Sequence, residues 1–153
     1  MNLINCCSKL LWLRLFFILS LAMMAQNTAA TSYIIKIDSS SAVASLLKEA
    51  ENYHQTQQYE QAAALLERAL RIKPRHPVIW HNLAGVRLTQ QDWTRAANLA
   101  QKSNALAGSK NKYKNLRMRN WNLITQACEG MKNATCAREA RNRTQALARA
   151  LGY

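Results

Sequence analysis

The stretch from Tyr59 to Pro74, YEQAAALLERALRIKP, has a spacing of aromatic and small residues that returns 34 residues later. The repeated positions are Tyr59, Ala62, Leu66 and Ala69 in the first copy, and Trp93, Ala96, Ala100 and Ser103 in the second. A pattern that recurs at a fixed period of about 20 to 50 residues is typical of proteins built from stacked structural repeats. The sequence therefore predicts a repeat architecture.

The composition favours helices as the repeating element. The 153 residues include only four Gly and two Pro, and 49% of them are hydrophobic. Such a chain is rich in good helix formers and differs from a turn-rich β fold or a disordered polybasic tail. We therefore predict an all-α fold with six helices, at about 41–56, 59–73, 77–89, 93–107, 111–129 and 134–151.

A third copy of the pattern is present in a degraded form. Its opening is Trp121, Ile124, Thr125 and Cys128, and its closing is Ala134, Ala137, Arg141 and Thr144. The interval from Ala96 to Ala137 is 41 residues instead of 34, so seven residues are inserted before Trp121. Seven residues amount to about two helical turns. We expect the fifth helix to be longer at its start.

These units resemble the tetratricopeptide repeat, whose pattern is W-x2-L-G-x2-Y…A-x3-F…P. Trp80-x2-Leu83-Ala84 matches the opening of that pattern, and Pro74 stands where a repeat ends. The resemblance implies an α-solenoid of three helix-turn-helix hairpins over residues 42–151, with repeats at about 43–76, 77–110 and 118–151. In such a solenoid each hairpin covers the apolar face of its neighbour.

The first thirty residues predict a secretory signal peptide. Lys9 and Arg14 precede the apolar run from Leu15 to Ala25, and Thr28-Ala29-Ala30 is an acceptable cleavage site. The run is shorter than the about 20 apolar residues of a spanning helix, although an uncleaved anchor remains the alternative. Residues 31–41, TSYIIKIDSSS, are predicted to be an extended lead-in that forms one strand or a docked arm.

The charge is strongly basic and unevenly distributed. The net charge is +13, and it falls to +11 when residues 1–30 are removed with Lys9 and Arg14. From Lys102 onward only Glu129 and Glu139 oppose eleven Lys and Arg. A predicted basic patch there comprises Arg138, Arg141, Arg143 and Arg149. An anionic protein, a membrane surface or an envelope polymer fits this charge, and a solvated helical face fits it equally.

Catalytic and metal-binding patterns are absent from the sequence. The three histidines are scattered, there is no H-x-x-x-H or C-x-x-C spacing, and no Gly-rich phosphate loop occurs. We therefore expect no enzyme, no metal and no cofactor. Nucleic acid is not expected as a partner either, because no recognition motif accompanies the basic residues.

Cys128 and Cys136 are the only cysteines beyond the predicted signal peptide, and they flank a predicted turn. An even number of cysteines in an exported chain predicts a possible disulfide. One observation counts against it. By repeat register Cys136 corresponds to Gln61 and Arg95, which are expected to face solvent, whereas Cys128 corresponds to a core position.

The resemblance also implies a binding surface, because tetratricopeptide domains hold other proteins in a concave groove lined by the first helix of each hairpin. By register, the predicted groove consists of Leu47, Glu51, His54, His81, Gly85, Leu88, Arg119, Asn122 and Gln126. The Lys, Arg and Asn clamp that some members use for a C-terminal carboxylate is matched only at Asn82 and Arg119, and Glu51 would repel such a ligand.

The resulting functional hypothesis is an exported, periplasmic adaptor that binds another protein of the bacterial envelope through its concave groove. The alternative is a structural module that the uncleaved N-terminus anchors at the membrane. In that alternative, the basic C-terminal third binds anionic lipid or polymer.

Overall fold

The computed structural model describes residues 34–35 and 42–153, which lie in one compact unit that begins at Ser32. The predicted signal peptide, residues 1–30, lies outside the described residues. Of the predicted lead-in, residues 31–41, only Ile34 and Ile35 are described.

Six α-helices make up the described part of the chain, in which no strand occurs. They are α1 (Ala42–Gln55), α2 (Tyr59–Ile72), α3 (Pro77–Thr89), α4 (Trp93–Ala107), α5 (Lys114–Gly130) and α6 (Ala134–Leu151). A single 3₁₀ turn, Asn111–Tyr113, precedes α5. The predicted all-α fold with six helices is confirmed, and most predicted helix ends lie within one residue of the observed ones.

Consecutive helices pack as hairpins, and the hairpins stack. Helix α1 pairs with α2, α3 with α4 and α5 with α6. Contacts between α2 and α3 join the first and second hairpins, and contacts of α5 with α4 and with α3 join the second and third. Close packing follows from the small residues at the repeated positions, Ala50, Ala62, Ala84 and Ala96, all of which are completely buried. A larger side chain at any of these positions would force two helices apart.

The three hairpin turns have the same backbone geometry. Gln57, Gln91 and Lys132 are the only non-glycine residues with positive φ in the described part of the chain, and each lies in one turn. In every turn, the residue after the one with positive φ donates a backbone hydrogen bond to the carbonyl oxygen five residues before it, at 2.8 to 2.9 Å. The third hairpin is thus a full member of the series despite its degraded sequence.

The seven-residue insertion partly confirms the predicted extension of the fifth helix. Helix α5 begins at Lys114, seven residues before Trp121, whereas α3 begins at Pro77, three residues before Trp80. The rest of the insertion belongs to the connection that runs from Gly108 through the 3₁₀ turn. Arg117 holds this connection in place, because its guanidinium donates to the carbonyl oxygens of Gly108 at 2.8 Å and Lys110 at 2.9 Å. These bonds satisfy carbonyls that have no helical partner.

Helix α3 lies at the centre of the core. Ten of its thirteen residues are buried. Its apolar side chains contribute to the buried cluster of the first hairpin and to the cluster that α4, α5 and α6 share. A helix that is apolar on all sides is buried on all sides, and this placement decides which of the predicted groove residues reach solvent.

Candidate interaction surface

The first helices of the hairpins, α1, α3 and α5, form the face that was predicted to be the groove. The structure corrects the exposure of five of its nine predicted residues. Leu47, His54, His81, Gly85 and Leu88 are all buried. His81, Gly85 and Leu88 lie on α3, which both neighbouring hairpins cover, and His54 bonds to Thr89 of the same helix.

His81 belongs to a buried polar network and not to an open groove. Its Nδ1 lies 2.6 Å from Oδ1 of Asn120 on α5, and the Asn120 amide donates to Ser103 Oγ at 2.8 Å and to Asn104 Oδ1 at 2.9 Å. Ser103 in turn donates to the Pro77 carbonyl oxygen at 2.8 Å. The network fixes α3, α4 and α5 in one register, because buried polar groups are costly unless they are bonded.

His54 is also buried, at the end of α1. Its Nε2 lies 3.2 Å from Thr89 Oγ1, and the Thr89 hydroxyl donates to the Gly85 carbonyl oxygen at 3.0 Å. The Thr89 hydroxyl oxygen therefore accepts a hydrogen bond from the N–H group at Nε2 of His54. Burial lowers the pKa of His54 from its ordinary value, since desolvation disfavours the charged ring. His54 is thus a neutral hydrogen-bonding residue at neutral pH.

Four of the predicted groove residues do reach solvent, and they lie on the helices that flank α3. Arg119 and Asn122 on α5 are exposed, while Gln126 on α5 and Glu51 on α1 are half-buried. The solvent-accessible part of the predicted groove is therefore polar, with an acidic residue on one side and a basic residue on the other.

The dipeptide Ile34-Ile35 of the lead-in lies against α3. Asn82 on α3 is completely buried and forms two hydrogen bonds with the backbone of Ile35. The Ile35 N–H donates to Asn82 Oδ1 at 2.9 Å, and Asn82 Nδ2 donates to the Ile35 carbonyl oxygen at 3.2 Å. Ile34 is 7% exposed within the cluster of the first hairpin. Ile35 packs against a separate cluster that includes Val78 and Leu116. The two isoleucines therefore cross α3 between the first and third hairpins.

This contact was not predicted, although its parts were visible in the sequence. The β-prone run around Ile35 predicted a docked arm, and Asn82 was matched to a clamp position. The two residues are 47 positions apart, and no local pattern specifies a pair at that separation.

The predicted basic patch lies on α6, with all four arginines exposed. Glu129 forms an ion pair with Arg141, and Glu139 lies 3.2 Å from Arg143. The Arg143 guanidinium also lies over the ring of Trp121, 4.8 Å from its centroid. Within the described residues, Arg138 and Arg149 form no ion pair. Only half of the patch therefore presents an uncompensated charge.

A shallow cleft of about 650 Å³, which was not predicted from the sequence, lies between α2, α3 and α4. It is lined by Glu67, Leu70, Arg71, Pro74, Trp80, Leu83, Arg87, Arg95 and Leu99. The Trp80 indole nitrogen donates to the Pro74 carbonyl oxygen at 2.8 Å, and Arg87 pairs with Glu67 at 3.0 Å. Trp80 and two nitrogens of Arg87 are thus engaged within the chain, whereas Arg87 Nε is buried without a hydrogen-bond partner among the described residues.

The structure joins Cys128 and Cys136 in a disulfide, with their Cα atoms 5.7 Å apart. Cys128 is completely buried between the last two helices, and Cys136 is half-buried in the first turn of α6. Asn133 caps that turn, because its side-chain oxygen accepts a hydrogen bond from the Cys136 backbone N–H at 3.0 Å. The bridge and the cap together hold α5 and α6 at the third turn.

Comparison with known proteins agrees with this geometry. The tetratricopeptide repeat profile matches residues 53–117. The solved globular C-terminal domain of P. aeruginosa LpoP is 34% identical, with a TM-score of 0.65 over 72% of this chain and 99% of that domain. The chain belongs to the tetratricopeptide repeat family. No curated protein matches it significantly.

Family membership carries a general function. Tetratricopeptide domains are interaction modules that present extended surfaces to other proteins, and neither comparison points to an enzyme family. In the part of the tetratricopeptide chain that the structure describes, no three His, Cys, Asp or Glu side chains are grouped as metal ligands. No helix among those residues has the length and apolarity needed to cross a bilayer.

Proposed function

We propose that this tetratricopeptide protein is an exported adaptor that binds another envelope protein through the concave face of α1, α3 and α5. The main support for this proposal is the pair of hydrogen bonds between the Asn82 side chain and the Ile35 backbone. The side-chain amide of Asn82 on α3 thus satisfies both backbone polar groups of one residue. An extended peptide is the kind of ligand that such a face holds by its backbone.

The exposed residues of the flanking helices support the same ligand class. Arg119, Asn122 and Gln126 lie on one side of α3 and Glu51 on the other, so the accessible lining is mixed in charge. Such a lining suits the alternating side chains of a peptide better than a buried small molecule.

Export is the second part of the proposal. It rests on Lys9, Arg14 and the apolar run that follows, with cleavage after Ala30 and release of a chain whose repeat domain is residues 42–151. N-terminal sequencing of protein recovered from the periplasm should begin at Thr31. Recovery of the full chain from the membrane pellet would refute release and favour the uncleaved anchor.

Site-specific photo-crosslinking tests the binding face. A photoreactive residue at Asn122 on α5 and, as a matched control, one at the exposed Arg149 on α6 should be compared in cells. We expect one discrete adduct from position 122 that is absent from position 149. An adduct from position 149 alone would assign binding to α6.

The unpaired charges on α6 support a second candidate function, namely contact with an anionic surface. Arg138 and Arg149 are exposed and, among the described residues, have no acidic partner. Each such charge near an anionic membrane surface contributes about 1 kcal/mol to binding. Co-sedimentation with anionic vesicles that disappears in the Arg138→Glu, Arg149→Glu double variant would establish it. Equal sedimentation of the variant would exclude it.

A further inference from the structure

The two isoleucines of the lead-in occupy the position that a bound peptide would take on α3. Ile34 is part of the cluster formed by the first hairpin with α3, and Ile35 packs against Val78 and Leu116 on the other side. The Ile34 side chain is buried and that of Ile35 is half-buried, which favours docking because apolar surface is removed from water.

The backbone contact has the same character. Asn82 offers one acceptor and two donor hydrogens, and it uses the acceptor and one donor on the amide and the carbonyl of the same residue. Any other extended residue presents these two groups with the same spacing. The polar part of the site is therefore independent of sequence, and the flanking apolar clusters supply the preference for β-branched side chains.

We infer that Ile34 and Ile35 are an internal ligand, and that the partner's segment displaces them. The inference rests on the proposed function of the concave face and adds two points. The partner supplies an extended segment with two adjacent β-branched apolar residues. Until it does, the chain occupies its own site.

The connection is short enough for such self-occupation to be effective. Six residues, 36–41, join Ile35 to the start of α1 at Ala42. A short linker confers an effective concentration in the millimolar range. A free peptide with a dissociation constant near 100 μM would then bind the unaltered chain about 10-fold more weakly than a chain with an empty site.

A peptide with the sequence of residues 31–38, TSYIIKID, is the probe. Its affinity is measured by fluorescence anisotropy for the unaltered chain and for the Ile34→Ser, Ile35→Ser double variant. We expect the double variant to bind it at least about 10-fold more tightly. The matched control is Ile72→Ser, which changes an isoleucine that is 51% exposed on α2 and should leave the affinity unchanged.

A second peptide tests the backbone contact without altering the protein. Methylation of the amide nitrogen of its second isoleucine removes the donor that Asn82 Oδ1 accepts. Binding to the double variant should then fall by about 10-fold or more, because a buried acceptor is left without a partner. Equal binding of both peptides, or no binding of either one, would overturn the inference.

Hydrogen exchange supplies a readout that needs no variant. In the unaltered chain the Ile35 amide should exchange at least about 10-fold more slowly than in the free peptide, since it is bonded to Asn82. Exchange at the rate of the free peptide would overturn the inference. So would a dimer that the peptide dissociates, because the site would then hold the isoleucines of a second copy.

The two claims fail separately. If the peptide behaves identically with both chains while crosslinking at position 122 still yields an adduct, the adaptor function stands and the internal ligand is refuted. If crosslinking gives no adduct but the peptide discriminates between the chains, the docked dipeptide is a structural contact. The inference is then wrong as a statement about a partner.

Discussion

Gly130 at the end of α5 lies against the indole of Trp93 at the start of α4, and a β-carbon at residue 130 would stand 2.5 Å from Trp93 Cδ2. Cβ atoms do not approach other carbons that closely. The last turn of α5 can therefore pack on the second hairpin only because residue 130 has no side chain.

Gly130→Ala should destabilise the fold although alanine is the better helix former. The helix gains about 1 kcal/mol from the exchange, but overpacking typically costs about 1 to 3 kcal/mol. We expect a net loss of up to about 2 kcal/mol in the free energy of unfolding, measured by urea denaturation. Trp93→Leu in the same chain should recover part of the loss, and a loss that is unchanged by it would contradict the account.

Two asparagines on α5 form a matched pair for the buried network. Asn120→Ala removes the hydrogen bonds of Asn120 to His81, Ser103 and Asn104 and should cost about 2 to 3 kcal/mol of unfolding free energy. Asn122→Ala changes an exposed side chain and should cost less than about 0.5 kcal/mol. Thermal and urea unfolding of both variants checks this, and equal losses would refute the network's role.

The stability should fall when the pH drops below about 6.5. Burial lowers the pKa of His54, and burial together with Lys73 and Lys112 lowers the pKa of His76. The unfolded chain therefore takes up protons that the folded chain does not, so the unfolding free energy decreases from pH 6.5 down to the folded pKa values. His54→Gln and His76→Gln should each flatten the urea-unfolding profile in this range. An unchanged profile in both would contradict the assignment.

The disulfide should contribute measurably to stability. Cys128 and Cys136 are 8 positions apart in the sequence. Closure of a loop of that length stabilises the fold by about 2 to 3 kcal/mol in the chain-entropy model. Reduction should lower the unfolding free energy by that amount, and the Cys128→Ala, Cys136→Ala double variant should not respond to reductant at this site. Mass spectrometry of thiol-labelled native protein should find no label at Cys128 or Cys136. Label at both positions before reduction would end the hypothesis.

Most of the fold could be predicted from the sequence, because residues that are close together in each repeat determine how its two helices pack. Ala62 and its counterpart Ala96 are completely buried, as the 34-residue period requires. Even the degraded third repeat kept its turn, since Asn133 caps α6 in the same way as Asp92 caps α4. Helix positions and hairpin pairing thus followed from short-range spacing.

The surface was harder to predict, because exposure depends on residues that are distant in sequence. The repeat register assigned His81 to the groove, but His81 is buried and lies within hydrogen-bond distance of Asn120, which is 39 positions away in the sequence. Asn82 was matched to a ligand clamp, and the chain's own Ile35 meets it. A repeat register identifies the helix face on which a residue lies. It does not identify what covers that face.

The central claim is that binding runs through the concave face, and the dissociation constant of the crosslinked partner tests it most directly. Two charge-altering double variants, both on exposed residues, are compared at about 0.15 M salt. Arg119→Glu with Asn122→Ala should weaken binding by about 10-fold or more. Arg138→Glu with Arg149→Glu should change it by less than about 3-fold. Binding that survives the first pair of changes and is lost with the second would contradict the account.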